Sequence, residues 1–232
     1  MAFRAQVKVV CDLYGQAPEL LAAGIHVISS DEMTGIQALE RAYPTKSVQM
    51  EQAERQEYEY IRHGTQSLIA NWQVATGTVL TPSIATTRNE ADFAAHIVQT
   101  LANDPQAAWI FILDQLNTHK SETLVRLVDR LCDLKLDLGQ KEQSGILQSM
   151  PTRAAFLSDP SHRIRFVYVP KHSSWLNQIE CWFSILVRRL LKRGNFTSTH
   201  DLRQQILDFI AYFNRTLAKP FNWKFKGFPD LD

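Results

Sequence analysis

Apolar residues in this chain form two kinds of pattern, one typical of β-strands and one typical of α-helices. The continuous apolar run Ala107–Leu113 predicts a strand that is buried on both faces of a sheet. Further strands are predicted over Ile25–Glu32 and Ile164–Val169. Alternation from Gln56 to Ile84 predicts three antiparallel strands in a meander, and Met33–Glu54 is expected to be a loop.

Apolar residues spaced three and four apart predict four helices. In chain order these are Asn89–Asn103, Lys120–Leu131, Ser173–Arg193 and Asp201–Asn214. A short helix is expected over Pro18–Gly24, with proline near its start and glycine at its end. The stretch Asp133–His162 is polar and weakly patterned, which indicates an insertion, although Arg153–Leu157 is compatible with one helical turn.

The order of these elements predicts an α/β fold. A strand–helix–strand unit favours parallel pairing with a right-handed crossover. We therefore expect a mixed five-stranded sheet, three antiparallel strands plus two parallel, with helices on both faces, which is the plan of a ribonuclease H-like domain. The predicted parts are a connector with a short helix (1–24), this domain (25–193, with the insertion at about 133–162) and a basic helical extension (194–232).

Composition places the chain among globular proteins. Of 232 residues, 45% are apolar and 21% are charged, which excludes a wholly disordered chain. No apolar run approaches the roughly 20 residues that a membrane helix needs, and the N-terminus has no apolar signal core, so we expect a cytosolic protein. The three cysteines form no Cys-x-x-Cys pair, which argues against a disulfide framework or a thiolate zinc site.

The net charge of +1 conceals an uneven distribution. Residues 1–162 contain 13 Lys and Arg against 19 Asp and Glu, whereas residues 163–226 contain 12 against 3. A basic segment attached to an acidic body indicates a polyanionic partner. A solvated basic helix face explains the same pattern equally well.

Three acids fall at the ends of predicted strands or on a predicted helix. Asp31 ends the first strand, Asp114 directly follows the buried strand, and Glu180 lies about two turns into the long helix. The carboxyl ends of strands are where open α/β sheets gather their sites. Carboxylate, water and phosphate oxygens are the ligands that Mg²⁺ prefers, and two such ions about 4 Å apart promote phosphoryl transfer. The pattern therefore favours metal-dependent chemistry on nucleic acid.

Each acid also has an ordinary structural interpretation. An aspartate at a strand end is commonly a turn or cap residue. Glu32 competes with Asp31 and points to the other face of the strand. Glu180, however, lies between Ile179 and Trp182, close to an apolar stripe, where an acid needs a partner or a metal.

Three segments are similar to the acid boxes of bacterial insertion-sequence transposases of the mariner superfamily. They are Ser30–Arg41, Asp114–His119 and Ser173–Phe183, and the C-terminal stretch Phe209–Lys219 is similar too. The resemblance covers roughly residues 27–227, nearly the whole chain. The boxes are long and occur in the family's order.

The resemblance implies a ribonuclease H-like domain with a catalytic Asp-Asp-Glu triad at Asp31, Asp114 and Glu180. The same three residues are the implied ligands of two Mg²⁺ ions, for which Mn²⁺ substitutes. The family reaction hydrolyses double-stranded DNA at transposon ends, and the freed 3′ hydroxyl then attacks target DNA. Because two DNA ends must be coordinated, the resemblance also implies a homodimer in the DNA complex.

Several residues are predicted to contact DNA. His119 closes the second box and is assigned either to a phosphate or metal-bound water, or to a helix-start hydrogen bond. The remaining predicted contacts are basic and lie near or after the third box: Lys171, His172, Arg188, Arg189, Lys192 and Arg193. Trp175 and Trp182 are expected to be core residues and not platforms for stacked bases.

Some features depart from the family pattern. Gln115 replaces a common asparagine, Gln178 replaces a common proline, and Asp114 and Glu180 are 66 positions apart. Only 30 residues precede Asp31, too few for the usual helix-turn-helix modules, so we expect a catalytic domain, a fragment, or a protein whose DNA-reading part lies elsewhere. A catalytically inert DNA-binding or assembly derivative and a ribonuclease H-type nuclease are the alternatives.

Overall fold

The computed structural model describes residues 3–43 and 59–228, which contain one mixed five-stranded sheet. Its strands are β1 (Ile25–Arg41), β2 (Tyr60–Gln73), β3 (Thr78–Ala85), β4 (Ala108–Leu113) and β5 (Ile164–Tyr168). The spatial order is β3-β2-β1-β4-β5. Strands β1 to β3 pair antiparallel, whereas β4 and β5 continue the sheet in parallel with β1. The predicted ribonuclease H-like sheet is confirmed.

Helices cover both faces of the sheet. The α-helices of the described residues are α1 (Phe3–Ala22), α2 (Glu90–Leu101), α3 (Glu122–Leu131), α4 (Met150–Leu157), α5 (Gln178–Leu186) and α6 (Thr199–Thr216). Short 3₁₀ turns lie at Thr118–Lys120, Ile146–Gln148 and Ser174–Leu176. A π-helical turn, Val187–Leu191, continues α5. In the described part of the chain, no helix combines the length and apolarity needed to cross a bilayer.

The sheet separates two apolar layers, because successive side chains of a strand point to opposite faces. In β4, Ile110 and Ile112 lie in the layer with α1, α5 and α6. Trp109, Phe111 and Leu113 lie in the layer with α2, α3 and α4. All five side chains are essentially buried, which explains why this strand has a continuous apolar sequence.

Strand β1 is longer than predicted, because residues 33–41, expected to be a loop, continue it. Irregular pairing with β2 on either side of Ile36 bends the strand, and Gly35 supplies a backbone φ of +72°. Strand β2 runs unbroken through Gly64, so the described part of the stretch from Gln56 to Ile84 contains two strands, and the prediction of three there is wrong. The third antiparallel strand of the sheet is β1. The parts of the predicted loop and meander that fall on 44–58 lie outside the described residues.

Helix α1 is also longer than predicted, since it begins at Phe3 and contains Pro18 in its last turns. Its buried residues Val7, Val10, Tyr14 and Ala17 follow helical spacing and pack on the sheet. The helix therefore forms because one apolar stripe is buried, and not because of its caps.

The long helix predicted over Ser173–Arg193 is interrupted. Asn177 has an extended backbone (φ −85°, ψ 110°) between a 3₁₀ turn and α5. Glu180 consequently lies in the first turn of α5, and the prediction of two turns is wrong. Trp182 is fully buried as expected, but Trp175 is 49% exposed and is not a core residue.

Candidate active site

The first two predicted acids lie at one edge of the sheet. In the parallel pair of β1 and β4, the last paired residues are Ser29 and Ile112. Asp31 lies two residues after Ser29, and Asp114 lies two residues after Ile112. Strand pairing therefore brings both residues to the point where the β1–β4 pairing ends. Asp31 itself lies within β1, which continues to Arg41, so the prediction that Asp31 ends the first strand is wrong.

Asn177 connects this edge to the start of α5. Its Nδ2 donates to the Ser30 carbonyl oxygen (3.1 Å) and to Asp31 Oδ2 (3.1 Å). Its Oδ1 accepts a hydrogen bond from Ser29 Oγ, which in turn accepts from the backbone N–H of Ile179 at 2.9 Å. Asn177 is fully buried. The end of β1 and the first turn of α5, which carries Glu180, are thus fixed to each other.

The three carboxyl groups influence one another electrostatically. Burial raises the pKa of Asp31 to about 6, and the negative charges of Asp114 and Glu180 add to the rise. Burial and the charge of Asp114 also raise the pKa of Glu180. Negative charge is therefore concentrated at this edge, where a cation would be stabilised.

Asp114 has a histidine partner. Its Oδ1 lies 2.7 Å from Nδ1 of His119, and the backbone N–H of Leu116 donates to the same oxygen at 2.9 Å. Burial would raise the pKa of Asp114, but His119 and this N–H hold it below its usual range. Burial would likewise lower the pKa of His119, but Asp114 and Glu32 raise it to about 9.

Glu32 lies on the opposite face of β1 from Asp31, as the alternation of the strand predicts. Its side chain is 1% exposed, and its Oε2 accepts from Arg88 Nη1 at 2.9 Å. Burial would raise the pKa of Glu32, but His119 and Arg88 lower it. Glu32 is therefore a buried, charge-paired residue beside the site.

An open cavity of about 580 Å³ adjoins Asp114. Its wall combines the loop after β4 with the loop after β5, and basic side chains from Arg88, Lys171 and His172 line it. Lys171 and His172 are exposed. The cavity thus places basic side chains beside Asp114, as a phosphate-bearing ligand requires.

The donor set fits hard divalent cations, because it consists of carboxylate oxygens, and the pKa values of Asp31 and Glu180 are raised in part by neighbouring negative charge. In residues 3–43 and 59–228, no three His, Cys, Asp or Glu side chains are gathered closely enough to hold a metal ion.

The other residues predicted to contact DNA do not line the cavity beside Asp114. His119 is fully buried between Glu32 and Asp114, so the predicted contact of its side chain with DNA is wrong. Arg188 and Arg189 are exposed and line a separate cavity floored by Trp72 and Phe213. Lys192 and Arg193 are exposed beyond the π-helical turn.

Sequence reasoning missed the residues that organise the site. Ser29 and Asn177 lie inside or beside the acid boxes, and their position there was the available signal. Arg88 lies in the loop between β3 and α2, and no local pattern marks it.

A family profile described as DDE superfamily endonuclease matches residues 26–203. A comparison with curated proteins finds no match.

Solved structures of similar fold include the catalytic domain of Mos1 mariner transposase, with a TM-score of 0.53 and 10% sequence identity. The match covers 90% of this chain and 81% of that chain. A Mos1 mariner paired end complex with Mn matches with a TM-score of 0.52 and 13% identity over 90% of this chain. This chain spans 54% of the chain in that complex. At these identities, the structures show a shared fold.

Proposed function

Because the chain belongs to the DDE superfamily of endonucleases, we propose that it is the catalytic domain of a DNA transposase that cleaves phosphodiester bonds at transposon ends and joins them to target DNA. The observation that carries this proposal is the placement of Asp31 and Asp114 just past the end of the β1–β4 pairing, with Glu180 in the first turn of α5, which Asn177 connects to β1. Neighbouring carboxylates without a cation are a costly arrangement, and the cavity with basic side chains beside Asp114 suits a nucleic acid backbone.

In the proposed reaction, Asp31, Asp114 and Glu180 hold two Mg²⁺ ions, for which Mn²⁺ substitutes. Such ions, when bound, activate the attacking oxygen and stabilise the leaving oxygen. The chain's own contribution is to hold Asp31 and the start of α5, which carries Glu180, together through Asn177, and to bind the DNA backbone. Lys171 and His172 contact phosphates beside the carboxylates, because both are exposed in the adjoining cavity.

Further DNA contacts are proposed at the basic end of α5. Arg188, Arg189, Lys192 and Arg193 are exposed on consecutive turns and bind the DNA backbone without reading its sequence. Chains of similar fold are described as a paired end complex and a pre-cleavage transpososome. These descriptions support DNA as a partner. A second copy of the chain is proposed because two DNA ends must be coordinated. Sedimentation that shows monomers both free and on DNA would contradict the proposed dimer.

The proposal is tested by nicking of a supercoiled plasmid in Mg²⁺ and in Mn²⁺. Wild-type protein is expected to nick in either ion and to lose activity with EDTA. Asp114→Asn and Glu180→Gln are expected to lower the rate at least 100-fold, whereas Asp208→Asn, on the exposed face of α6, keeps it. Full activity in either triad variant would overturn the assignment.

Two further arms test the alternatives. Cleavage of an RNA–DNA hybrid that is faster than any cleavage of DNA would favour a ribonuclease H-type nuclease. Absence of Mn²⁺ binding by calorimetry, together with DNA binding, would favour a catalytically inert derivative.

A further inference from the structure

Charged side chains of alternating sign run from the protein surface through the interior to Asp114. Arg88 Nη1 lies 2.9 Å from Glu32 Oε2, Glu32 Oε1 lies 3.8 Å from His119 Nε2, and His119 Nδ1 lies 2.7 Å from Asp114 Oδ1. The two inner side chains are almost completely buried, with 1% exposure for Glu32 and none for His119. Arg88 and Asp114, at the two ends, are 43% and 30% exposed.

His119 is held from several sides. Its backbone carbonyl accepts a hydrogen bond from the Tyr168 hydroxyl at 2.8 Å. Its ring packs on Phe93 of α2, with the ring centroids 4.4 Å apart. The residue also lies within the 3₁₀ turn that leads into α3. The imidazole of His119 therefore has little freedom to move. The Asp114 carboxylate, which lies next to its Nδ1, is restricted in turn.

The two carboxylate oxygens of Asp114 have different surroundings. Oδ1 lies next to His119 Nδ1 and accepts from the Leu116 N–H, so it has two partners. Among the described residues, no hydrogen-bond donor contacts Oδ2, while Asp114 lines the cavity beside Lys171. One oxygen is used to orient the carboxyl group, and the other stays available to a ligand.

Burying charges is costly unless they are paired, and replacing such a row with apolar residues is often neutral for stability. The row ends on Asp114, a carboxylate of the proposed site. A role in orienting this carboxylate therefore explains the row better than a contribution to the stability of the fold. Partners behind a metal ligand typically change metal affinity or activity about 10- to 100-fold when they are removed.

We propose that His119 and Glu32 are positioning residues, which hold the Asp114 carboxylate in one orientation so that its Oδ2 stays available to a divalent cation. Arg88 pairs with Glu32 at the outer end of the row and keeps that carboxylate directed at His119. This inference rests on the proposed function, because it takes Asp114 to be a cation ligand.

The test measures Mn²⁺ affinity by electron paramagnetic resonance of free Mn²⁺, alongside kcat and KM for plasmid nicking. His119→Gln and the isosteric Glu32→Gln are both expected to weaken Mn²⁺ binding about 10-fold or more. Both are expected to lower kcat while the KM for DNA stays within about twofold, because the basic surface is untouched. Since the residues act through one another, the double variant is expected to lose no more than the worse single variant.

His162→Gln is the matched control, because His162 is also a buried histidine on the same side of the sheet and packs on Phe156, away from the carboxylates. It is expected to keep wild-type Mn²⁺ affinity even if its thermal midpoint falls. If His119→Gln fails to fold, the test relies on Glu32→Gln. This substitution keeps the number of non-hydrogen atoms and the shape of the buried side chain.

The two proposals fail in different ways. Wild-type protein that binds Mn²⁺, together with folded Glu32→Gln and His119→Gln variants of unchanged affinity and kcat, would overturn the positioning role alone. Wild-type protein that binds no Mn²⁺ would overturn the proposed function and this inference with it.

Discussion

Asn177 is the residue on which the relation between the first and third carboxylates depends. Its amide contacts Ser29, the Ser30 carbonyl and Asp31, and α5 begins at the next residue. We expect Asn177→Ala to lower the free energy of unfolding by about 1–3 kcal/mol, because buried polar groups lose their partners. Nicking activity is expected to fall by more than 10-fold in protein that urea titration shows to be folded.

Asn214→Ala is the control for this prediction, because the Asn214 amide makes two hydrogen bonds to the backbone of Val79, at 2.8 and 2.9 Å, far from the carboxylates in sequence. It is expected to cost similar stability and to keep activity. Equal activity in the two variants would contradict the role of Asn177.

Burial of His96 is expected to make the fold less stable in acid. Burial lowers its pKa to about 4, while the charge of Glu32 opposes this shift, and its Nδ1 lies 2.8 Å from the Ser83 hydroxyl. The folded-state pKa lies below the value of about 6.5 expected in the unfolded chain. The neutral histidine therefore stabilises the fold above pH 6.5, and this contribution is lost as the pH falls from 6.5 towards 4.

Urea unfolding between pH 7.5 and 4.5 checks this prediction. Between pH 7.5 and 4.5, the wild type is expected to lose roughly 2–3 kcal/mol more unfolding free energy than His96→Gln, which has no histidine to protonate at this position. Parallel pH profiles for the two proteins would show that His96 is not the group responsible.

At the scale of residues, sequence reasoning selected three acids, and the structure places Asp31 and Asp114 on neighbouring chain segments, but their surroundings were misjudged. Only Asp114 lies directly after a strand, whereas Asp31 lies within β1 and Glu180 in α5, so the acid boxes were the better guide. The burial of His119 and the exposure of Trp175 depend on which elements pack over them, and local pattern does not determine that. The partnership of Arg88 with Glu32 joins residues 56 positions apart, so no local signal reports it.

At the scale of elements, the turn between β2 and β3 and the C-terminal segment are packed against each other. Gly77 has φ +71°, and a Cβ at this position would lie 2.0 Å from the Lys219 carbonyl group. The segment that follows packs Phe221 on Trp72, with ring centroids 4.4 Å apart. This contact holds the C-terminal segment against the sheet.

Gly77→Ala is therefore expected to be more destabilising than Gly24→Ala. Both glycines have positive φ, +71° and +78°, but nothing lies within 4 Å of a Cβ at Gly24. The backbone conformation alone costs about 1–2 kcal/mol in each variant. The clash with Lys219 adds about 1–3 kcal/mol in Gly77→Ala. Urea unfolding measures both, and equal losses would mean that the C-terminal segment moves away freely.

Element types were predictable where periodicity is strong, and boundaries were not. The apolar run of β4 and the stripe of α6 were located within about two residues. The extension of β1 beyond Glu32 depends on pairing with β2 through an irregular stretch at Gly35. The break at Asn177 depends on hydrogen bonds to β1, which residues 173–193 do not reveal by themselves.

At the scale of the whole molecule, charge is divided between an acidic body and a basic C-terminal part. This division predicts that binding to duplex DNA weakens steeply with salt. Arg188→Ala/Arg189→Ala is expected to reduce the slope of log affinity against log salt by about 2, roughly 1 for each phosphate contact. Fluorescence anisotropy with a labelled duplex measures the slope.

The matched double variant is Arg130→Ala/Lys141→Ala, which removes two exposed cations from the acidic body. Its salt slope is expected to equal that of the wild type. If both double variants change the slope equally, the basic end of α5 is not the DNA-binding surface.

The central claim is that Asp31, Asp114 and Glu180 hold divalent cations together. Anomalous diffraction at the manganese edge, from crystals soaked in millimolar Mn²⁺, tests it directly. The account predicts manganese bound between these three carboxylates and no such density in crystals of Asp114→Asn. Well-folded wild-type protein with no manganese at the three carboxylates, or with manganese held elsewhere, would contradict it.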